Sequence, residues 1–283
     1  MSFAAALRHD LAERARRYAL AQALPHCVGY GETPTIYFLP AEDEACHGNF
    51  LQQSYKAIRA NSGWRRRLGK VHAHGRRVLP RNVRQHWMEL DSCTSSDALL
   101  MNIFCYPGVS RDRRVSALLA AEPDTLPCFG YKARVPLANG RLDRTEVDLR
   151  WGKLLVEAKL TENDFQSAEK EVLLVYRDFS EVFDPEQLPQ SEFRYFSYQL
   201  LRNVLAAYAL QCSFCVLVDV RRPDLADAWY AVMKCVQPVE FRTKLKISTW
   251  QEVAQVAPPR LRTFLAVKYG IGPWAASHAL LET

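Results

Sequence analysis

The stretch that most constrains this 283-residue chain is Arg144 to Leu160, because a two-residue turn inside it fixes which side chains share a face. Gly152-Lys153 fits a type II′ turn, which needs glycine at its first corner. That turn opposes Trp151 to Leu154, Arg150 to Leu155 and Leu149 to Val156, and then Asp148 to Glu157, Val147 to Ala158 and Glu146 to Lys159. Opposed residues share a face, and faces alternate along each strand. One face is then entirely apolar: Val147, Leu149, Trp151, Leu154, Val156 and Ala158. The other gathers Glu146, Asp148, Glu157 and Lys159.

Two carboxylates directly opposed on an antiparallel pair destabilise it. A divalent cation held between Asp148 and Glu157 removes that repulsion. Oxygen ligands favour a hard ion, Mg²⁺ or Mn²⁺, over zinc. Lys159 beside the ion can polarise a water and stabilise charge developing on phosphate. Two acids, a lysine and Mg²⁺ together suit phosphodiester hydrolysis. The competing reading is an exposed hairpin carrying an ordinary ionic ladder.

The surrounding pattern is α/β. Residues 3–24 read as an amphipathic helix, 35–39 as a short strand, and 49–60 as a helix broken by Asn61-Ser62-Gly63. A further helix spans 94–104, capped by Ser95 or Ser96 and stopped by Pro107-Gly108. Residues 131–136 and 145–150 read as strands about an Asn139-Gly140 turn, and 154–160 as the next strand. Helices follow over 164–178 and 193–211, then a buried strand from Phe214 to Val220. Strand, helices and strand between 154 and 220 make a parallel crossover. Residues 224–235 and 250–266 add two helices.

Asp148 followed by Glu157-Ala158-Lys159 at the end of the next strand resembles the PD-(D/E)XK motif of the restriction-endonuclease-like nuclease superfamily. The order of elements from about residue 90 to 220 is similar to that fold's core: a helix (94–104), a three-stranded meander, a helix (193–211) and a further strand. The resemblance implies a mixed central sheet flanked by helices. It also implies Asp148, Glu157 and the Ala158 carbonyl as metal ligands, with Lys159 serving the attacking water. Some members add a glutamine in a Gln-x-x-x-Tyr pattern on the next helix; here Gln199 stands in that place, with Asn203 in place of the tyrosine. The residue before the first acid is Val147 rather than proline. The acid common on the first core helix has three candidates, Glu89, Asp91 and Asp97. Gly48-Asn49-Phe50, Ser54-Tyr55-Lys56 and the Ser95-Ser96 helix also resemble bacterial members of the superfamily.

The net charge of +6 is unevenly spread. Residues 1–85 hold 14 Lys and Arg against 6 Asp and Glu, and the remainder holds 23 against 25. Residues 45–88 contain no acid and ten basic side chains, among them Arg65, Arg66, Arg67, Lys70, Arg76 and Arg77, interleaved with Tyr55, Trp64 and Trp87. Such a field suits a polyanion and predicts phosphate contacts with nucleic acid, against the blander reading of a solvated basic face.

Other motifs carry less. Cys212-x-x-Cys215 lacks the further ligands a zinc site needs and reads as buried thiols. His72-Ala73-His74 reads as phosphate contact or exposure. Gly29-Tyr30-Gly31 lacks the strand and helix of a phosphate loop. Without a signal-peptide pattern or an apolar run of membrane-spanning length, the eight cysteines read as reduced thiols in a cytoplasmic protein.

The sequence therefore predicts two regions. Residues 1–85 form a basic, mainly helical part, and residues 86–283 a restriction-endonuclease-like α/β core with C-terminal helices. The expected activity is Mg²⁺- or Mn²⁺-dependent hydrolysis of DNA. A homodimer would supply the two active sites that double-strand cutting needs. The alternatives are a non-catalytic nucleic-acid-binding protein on the same fold, and an adaptor whose basic stretch binds an acidic protein.

Overall fold

The computed structural model of the protein describes residues 1–29, 34–41, 45–71 and 88–272. The chain divides into two compact units, residues 1–118 with 250–283, and residues 119–249. The change of charge near residue 85 thus lies inside the first unit. Among the described residues, no helix is long and apolar enough to cross a membrane.

The first unit is largely helical. Helix Phe3–Ala21 starts where the Ser2 hydroxyl accepts from the Ala5 N–H at 3.2 Å, and it buries Ala4, Leu7, Leu11, Ala15 and Ala19 along one side. An antiparallel pair follows, β1 (His26–Val28) with β2 (Ile36–Phe38). Helices Gln52–Ala60 and Ser62–Arg65 meet at Asn61, whose side chain caps the second. Helix Ser96–Phe104 is capped by Ser95, whose hydroxyl accepts from the Ala98 N–H at 3.1 Å. The single helix expected over 250–266 is two, Trp250–Val256 and Pro259–Tyr269. Pro258-Pro259 removes two backbone donors, and Pro259 opens the second helix at the position that tolerates it.

A lysine is buried among the aromatic rings of this unit. Lys268 is 1% exposed, and its Nζ donates to Asn49 Oδ1 at 2.6 Å and to the Gly48 carbonyl at 3.2 Å. It also faces the Phe38 ring at 4.3 Å. Asn49 in turn donates to the Leu90 and Ser92 carbonyls. Burial holds the Lys268 amine well below the usual lysine range.

The second unit is built on a five-stranded sheet in the order Leu245–Thr249 (β11), Ser213–Val218 (β10), Leu154–Ala158 (β7), Glu146–Trp151 (β6) and Cys128–Lys132 (β3). Strands β3 (Cys128–Lys132), β6 (Glu146–Trp151) and β7 (Leu154–Ala158) form an antiparallel meander. Strands β10 (Ser213–Val218) and β11 (Leu245–Thr249) continue it in parallel. The crossover between β7 and β10 runs through helix Tyr198–Ala209. That helix buries Leu200, Leu201, Val204 and Leu205 in one core with Leu155, Phe214 and Val216. Central strands covered on both faces read as continuous apolar runs, and β7 is buried at all five positions. Helix Pro223–Met233 follows β10 near its predicted place.

Three expectations change. The strand expected over 131–136 breaks at Arg134, which sits in the left-handed region at φ 55°. Val135–Pro136 (β4) and Leu142–Asp143 (β5) then form their own hairpin about Asn139-Gly140. The helix expected over 164–178 is a short strand, β8 (Ser167–Glu169), followed by the helical turn Lys170–Leu174. The front of the helix expected over 193–211 is β9 (Arg194–Phe196), which pairs with β8. Left-handed Ser197 (φ 60°) separates β9 from helix Tyr198–Ala209.

Two outcomes follow. A lysine whose amine is depressed in the folded state binds fewer protons there than in the unfolded chain, so stability rises with pH toward the ordinary lysine value, by up to about 1.4 kcal/mol per pH unit. Urea titrations between pH 6.5 and 7.5 should show that rise in the wild type and a flatter one in Lys268→Met. The window ends about one unit below the ordinary thiol value, because Cys93, pushed up to about 11 by burial, adds the opposite slope once the unfolded thiol begins to ionise. In the second unit, Arg222 is 0% exposed and donates to the carbonyls of Leu160, Glu162 and Asn163 and to the Asp224 carboxylate. Arg222→Met should cost about 2–4 kcal/mol in urea unfolding, because it leaves buried carbonyls without donors.

Candidate active site

The hairpin of β6 and β7 turns at Gly152 with φ 59°, while Lys153 stays out of the left-handed region, as a type II′ turn requires. A two-residue turn fixes the register: Trp151 opposes Leu154, Arg150 opposes Leu155, and Leu149 opposes Val156. All six residues of the apolar set are buried. The indole N–H of Trp151 donates to the Thr125 carbonyl at 3.0 Å.

The ladder ends at Leu149–Val156, so the expected pairs Asp148–Glu157, Val147–Ala158 and Glu146–Lys159 do not form. The reason lies in one side chain. The Ala158 N–H, which would extend the ladder, donates to Asp148 Oδ2 at 2.8 Å. On its other edge β7 stays tied to β10, with the Lys159 N–H donating to the Leu217 carbonyl at 2.8 Å.

Both acids still lie close enough to Lys159 for their charges to act on it. Glu157 is 2% exposed and Lys159 5%, so the hairpin is no solvent-facing ribbon with a weak ionic ladder. Glu157 Oε1 lies 2.9 Å from the Lys159 ammonium, and Oε2 accepts from Asn203 Nδ2 at 2.6 Å. The same ammonium donates to Gln199 Oε1 at 2.8 Å and lies 5.6 Å from the Phe165 ring. Burial pulls the lysine down, but the charges of Glu157, Glu162 and Asp148 outweigh it and hold the ammonium well above the usual lysine range. Lys159 is thus held as a hydrogen-bond donor between Glu157 and Gln199.

Gln199 and Asn203 are four residues apart and share a face of helix Tyr198–Ala209. The start of that helix is held by the Gln166 carbonyl accepting from Tyr198 N–H and the Phe165 carbonyl accepting from Gln199 N–H, both at 3.0 Å. Glu146 opens β6 opposite Lys132 of β3, and its carbonyl accepts from Arg202 Nη2 at 2.7 Å. Two contributors were not read from the sequence. Arg202 carries no spacing signal. Glu162, whose Oε2 accepts from the Leu160 N–H at 2.7 Å, stands three residues past Lys159, which is the only hint the sequence offers.

Among the described residues no group of three or more His, Cys, Asp or Glu side chains could hold a metal ion. Asp148 and Glu157 would offer two carboxylates, and the Ala158 carbonyl one further oxygen. Hard oxygen donors in that number fit an ion that keeps several waters, as Mg²⁺ does. Cys212 and Cys215 are buried free thiols.

In the first unit the three candidate helix acids have partners of their own. Asp97 accepts from Arg67 Nη2 at 2.6 Å and from the Lys70 ammonium at 3.0 Å. Glu89 pairs with Lys70 at 2.9 Å, and Asp91 accepts from His47 Nε2 at 3.0 Å. Burial and the neighbouring Asp97 push Glu89 up, while the two cations hold Asp97 below the usual carboxylate range despite its burial. Arg67 and Lys70 are accordingly engaged with acids just beyond the acid-free stretch, whereas Arg65 and Arg66 are exposed. Arg76, Arg77, His72 and His74 lie outside the described residues.

No curated protein and no solved structure matches the chain. A family model described as "Restriction Endonuclease associating with ARP" matches residues 23–270. The sheet order and the hairpin are compatible with a restriction-endonuclease-like core, and the match spans most of the sequence: the chain belongs to the family of restriction endonucleases associating with ARP.

Proposed function

We propose that the protein is a metal-dependent nuclease of the PD-(D/E)XK type that hydrolyses phosphodiester bonds in DNA. The observation that carries this reading is the buried Lys159 ammonium, joined to Glu157 and Gln199 and within the field of Asp148, at the end of a central strand. Asp148, Glu157 and the Ala158 carbonyl would hold Mg²⁺ or Mn²⁺, which when bound supplies Lewis-acid stabilisation and a more acidic water. Lys159 donates to the water that attacks phosphorus and to the phosphate oxygen that gains charge. Gln199 keeps the ammonium aimed, since its Oε1 accepts one of the three N–H bonds. Attack forms a P–O bond from the water oxygen and breaks the one to the leaving oxygen; the water gives up one proton to solvent and the leaving oxygen takes one from solvent, which leaves a phosphate monoester and an alcohol. Glu146 borders this site through its backbone. Exposed Arg65 and Arg66 would contact backbone phosphates, and a second copy of the chain would provide the second cut in a duplex.

Plasmid incubation with and without Mg²⁺ tests the activity. Glu157→Gln and Asp148→Asn should abolish nicking and most of the Mg²⁺-induced rise in melting temperature, because a bound ion stabilises by mass action. Lys159→Met should keep much of that rise yet slow cleavage by roughly 100- to 1,000-fold. Normal cutting by Lys159→Met would remove the lysine from the mechanism. The sequence alone predicts that removing either carboxylate relieves repulsion in the metal-free protein. The Glu157–Lys159 contact reverses the sign for Glu157, so Glu157→Gln should lower metal-free stability by about 1–3 kcal/mol.

Binding of a DNA duplex should weaken with salt, and Arg65→Ala with Arg66→Ala should reduce the log–log slope by about two. Sequence preference should be untouched. An unchanged slope would remove these two residues from the nucleic-acid interface.

A further inference from the structure

The backbone ladder between β6 and β7 stops before it reaches the acids, so something else must set their separation. Side chains from helix Tyr198–Ala209 bridge that gap. Arg202 is 5% exposed and reaches β6, where its Nη2 donates to the Glu146 carbonyl at 2.7 Å. The same Nη2 donates to Asn203 Oδ1 at 2.9 Å, and Nε does so at 3.3 Å. Asn203, 0% exposed, turns its amide nitrogen to β7 and donates to Glu157 Oε2 at 2.6 Å. The route from strand to strand is Glu146 carbonyl, guanidinium, amide, carboxylate.

Each link has one permitted direction. A guanidinium can only donate, so the amide oxygen must face Arg202 and the amide nitrogen must face Glu157. An aspartate or an aliphatic residue at 203 would not carry the relay. On its far edge β6 remains paired to β3 at Glu146–Lys132, and β7 remains paired to β10 at Glu157–Val216. Both outer edges are therefore fixed by backbone, and the inner edge by this cross-tie together with the Asp148–Ala158 contact.

We propose that Arg202 and Asn203 are positioning residues that set the separation of Asp148 and Glu157, and with it the preference of the site for Mg²⁺ over Ca²⁺. The proposal rests on the nuclease reading above. Mg²⁺ demands near-ideal octahedral geometry at short distances, whereas Ca²⁺ accepts six to eight oxygens in flexible arrangements. A rigid pair of carboxylates serves the first ion, and a loosened pair penalises the first more than the second.

The test is calorimetric titration of Mg²⁺, and separately of Ca²⁺, into the full chain, with no substrate present. Asn203→Ala should weaken Mg²⁺ binding by about 10- to 100-fold, the range found when groups that orient metal ligands are removed. Ca²⁺ binding should fall much less, so the ratio of the two affinities drops. Arg202→Met, which keeps a long stem and loses every donor, should move the ratio the same way and serves if Asn203→Ala does not fold. Equal weakening of both ions in folded variants, or no change in either, overturns the cross-tie while leaving the nuclease reading intact. A wild type that binds neither ion and cuts no DNA overturns both.

Discussion

The contact on which the second unit depends is the ion pair between Glu157 and Lys159. A central strand covered on both faces is the costliest place in a domain for an isolated charge. Two charges at alternate positions on one side of β7 neutralise each other there, and Asn203 and Gln199 satisfy their remaining capacity. Neither helix residue could reach unless the chain re-entered sharply after β9. Two non-glycine residues, Gln166 at φ 61° and Ser197 at φ 60°, take left-handed conformations at that re-entry. Strain of this kind persists where the surroundings over-determine it. Here the surroundings are the backbone bonds from Phe165 and Gln166 to the helix start.

Much of this arrangement was legible because the turn at Gly152-Lys153 is short. A two-residue turn leaves one register, and the register assigns the faces. The parallel crossover was legible from the apolar run read over Phe214 to Val220, of which Phe214 to Val218 are buried at every position and Val220 is exposed. The end of the ladder was not legible, since it comes from a side chain taking a backbone donor, and periodicity carries no sign of that. The β8–β9 ribbon was hidden for a related reason. Three-residue strands give too few alternations to outvote the helical spacing of their neighbours. Gln199 could be placed from a motif, but its contact with Lys159 depends on the helix being pinned at Ser197, which no local propensity demands.

The charge pattern of the first unit was legible only as a sum. An acid-free run of 44 residues looks like a free field until the acids at 89, 91 and 97 fold back on it. Asp97 is buried beneath Arg67, whose side chain is only 12% exposed, so two of the predicted phosphate ligands, Arg67 and Lys70, are already holding the helix that Ser95 caps. Lys268 illustrates the converse. It lies two residues past the helix read over 250–266, and nothing in that spacing shows that it supplies the donor that fixes Asn49 inside the unit.

The turn at Gly152 also limits how this chain can change in length. Surface loops ordinarily absorb added residues at small cost in closure entropy. One residue inserted between Trp151 and Leu154 would instead slide β7 by one position, and a slide of one exchanges the two faces of a strand. Glu157 would turn toward the side now filled by Leu149, Trp151 and Val156. The longer excursion from Leu160 to Ser197 offers little relief, because it sends Phe165, Leu173, Phe179 and Tyr195 into the core of the same unit. Added residues are better borne at an exposed tip such as Asn139-Gly140, and the smallest loop in the sheet is the one whose size cannot drift.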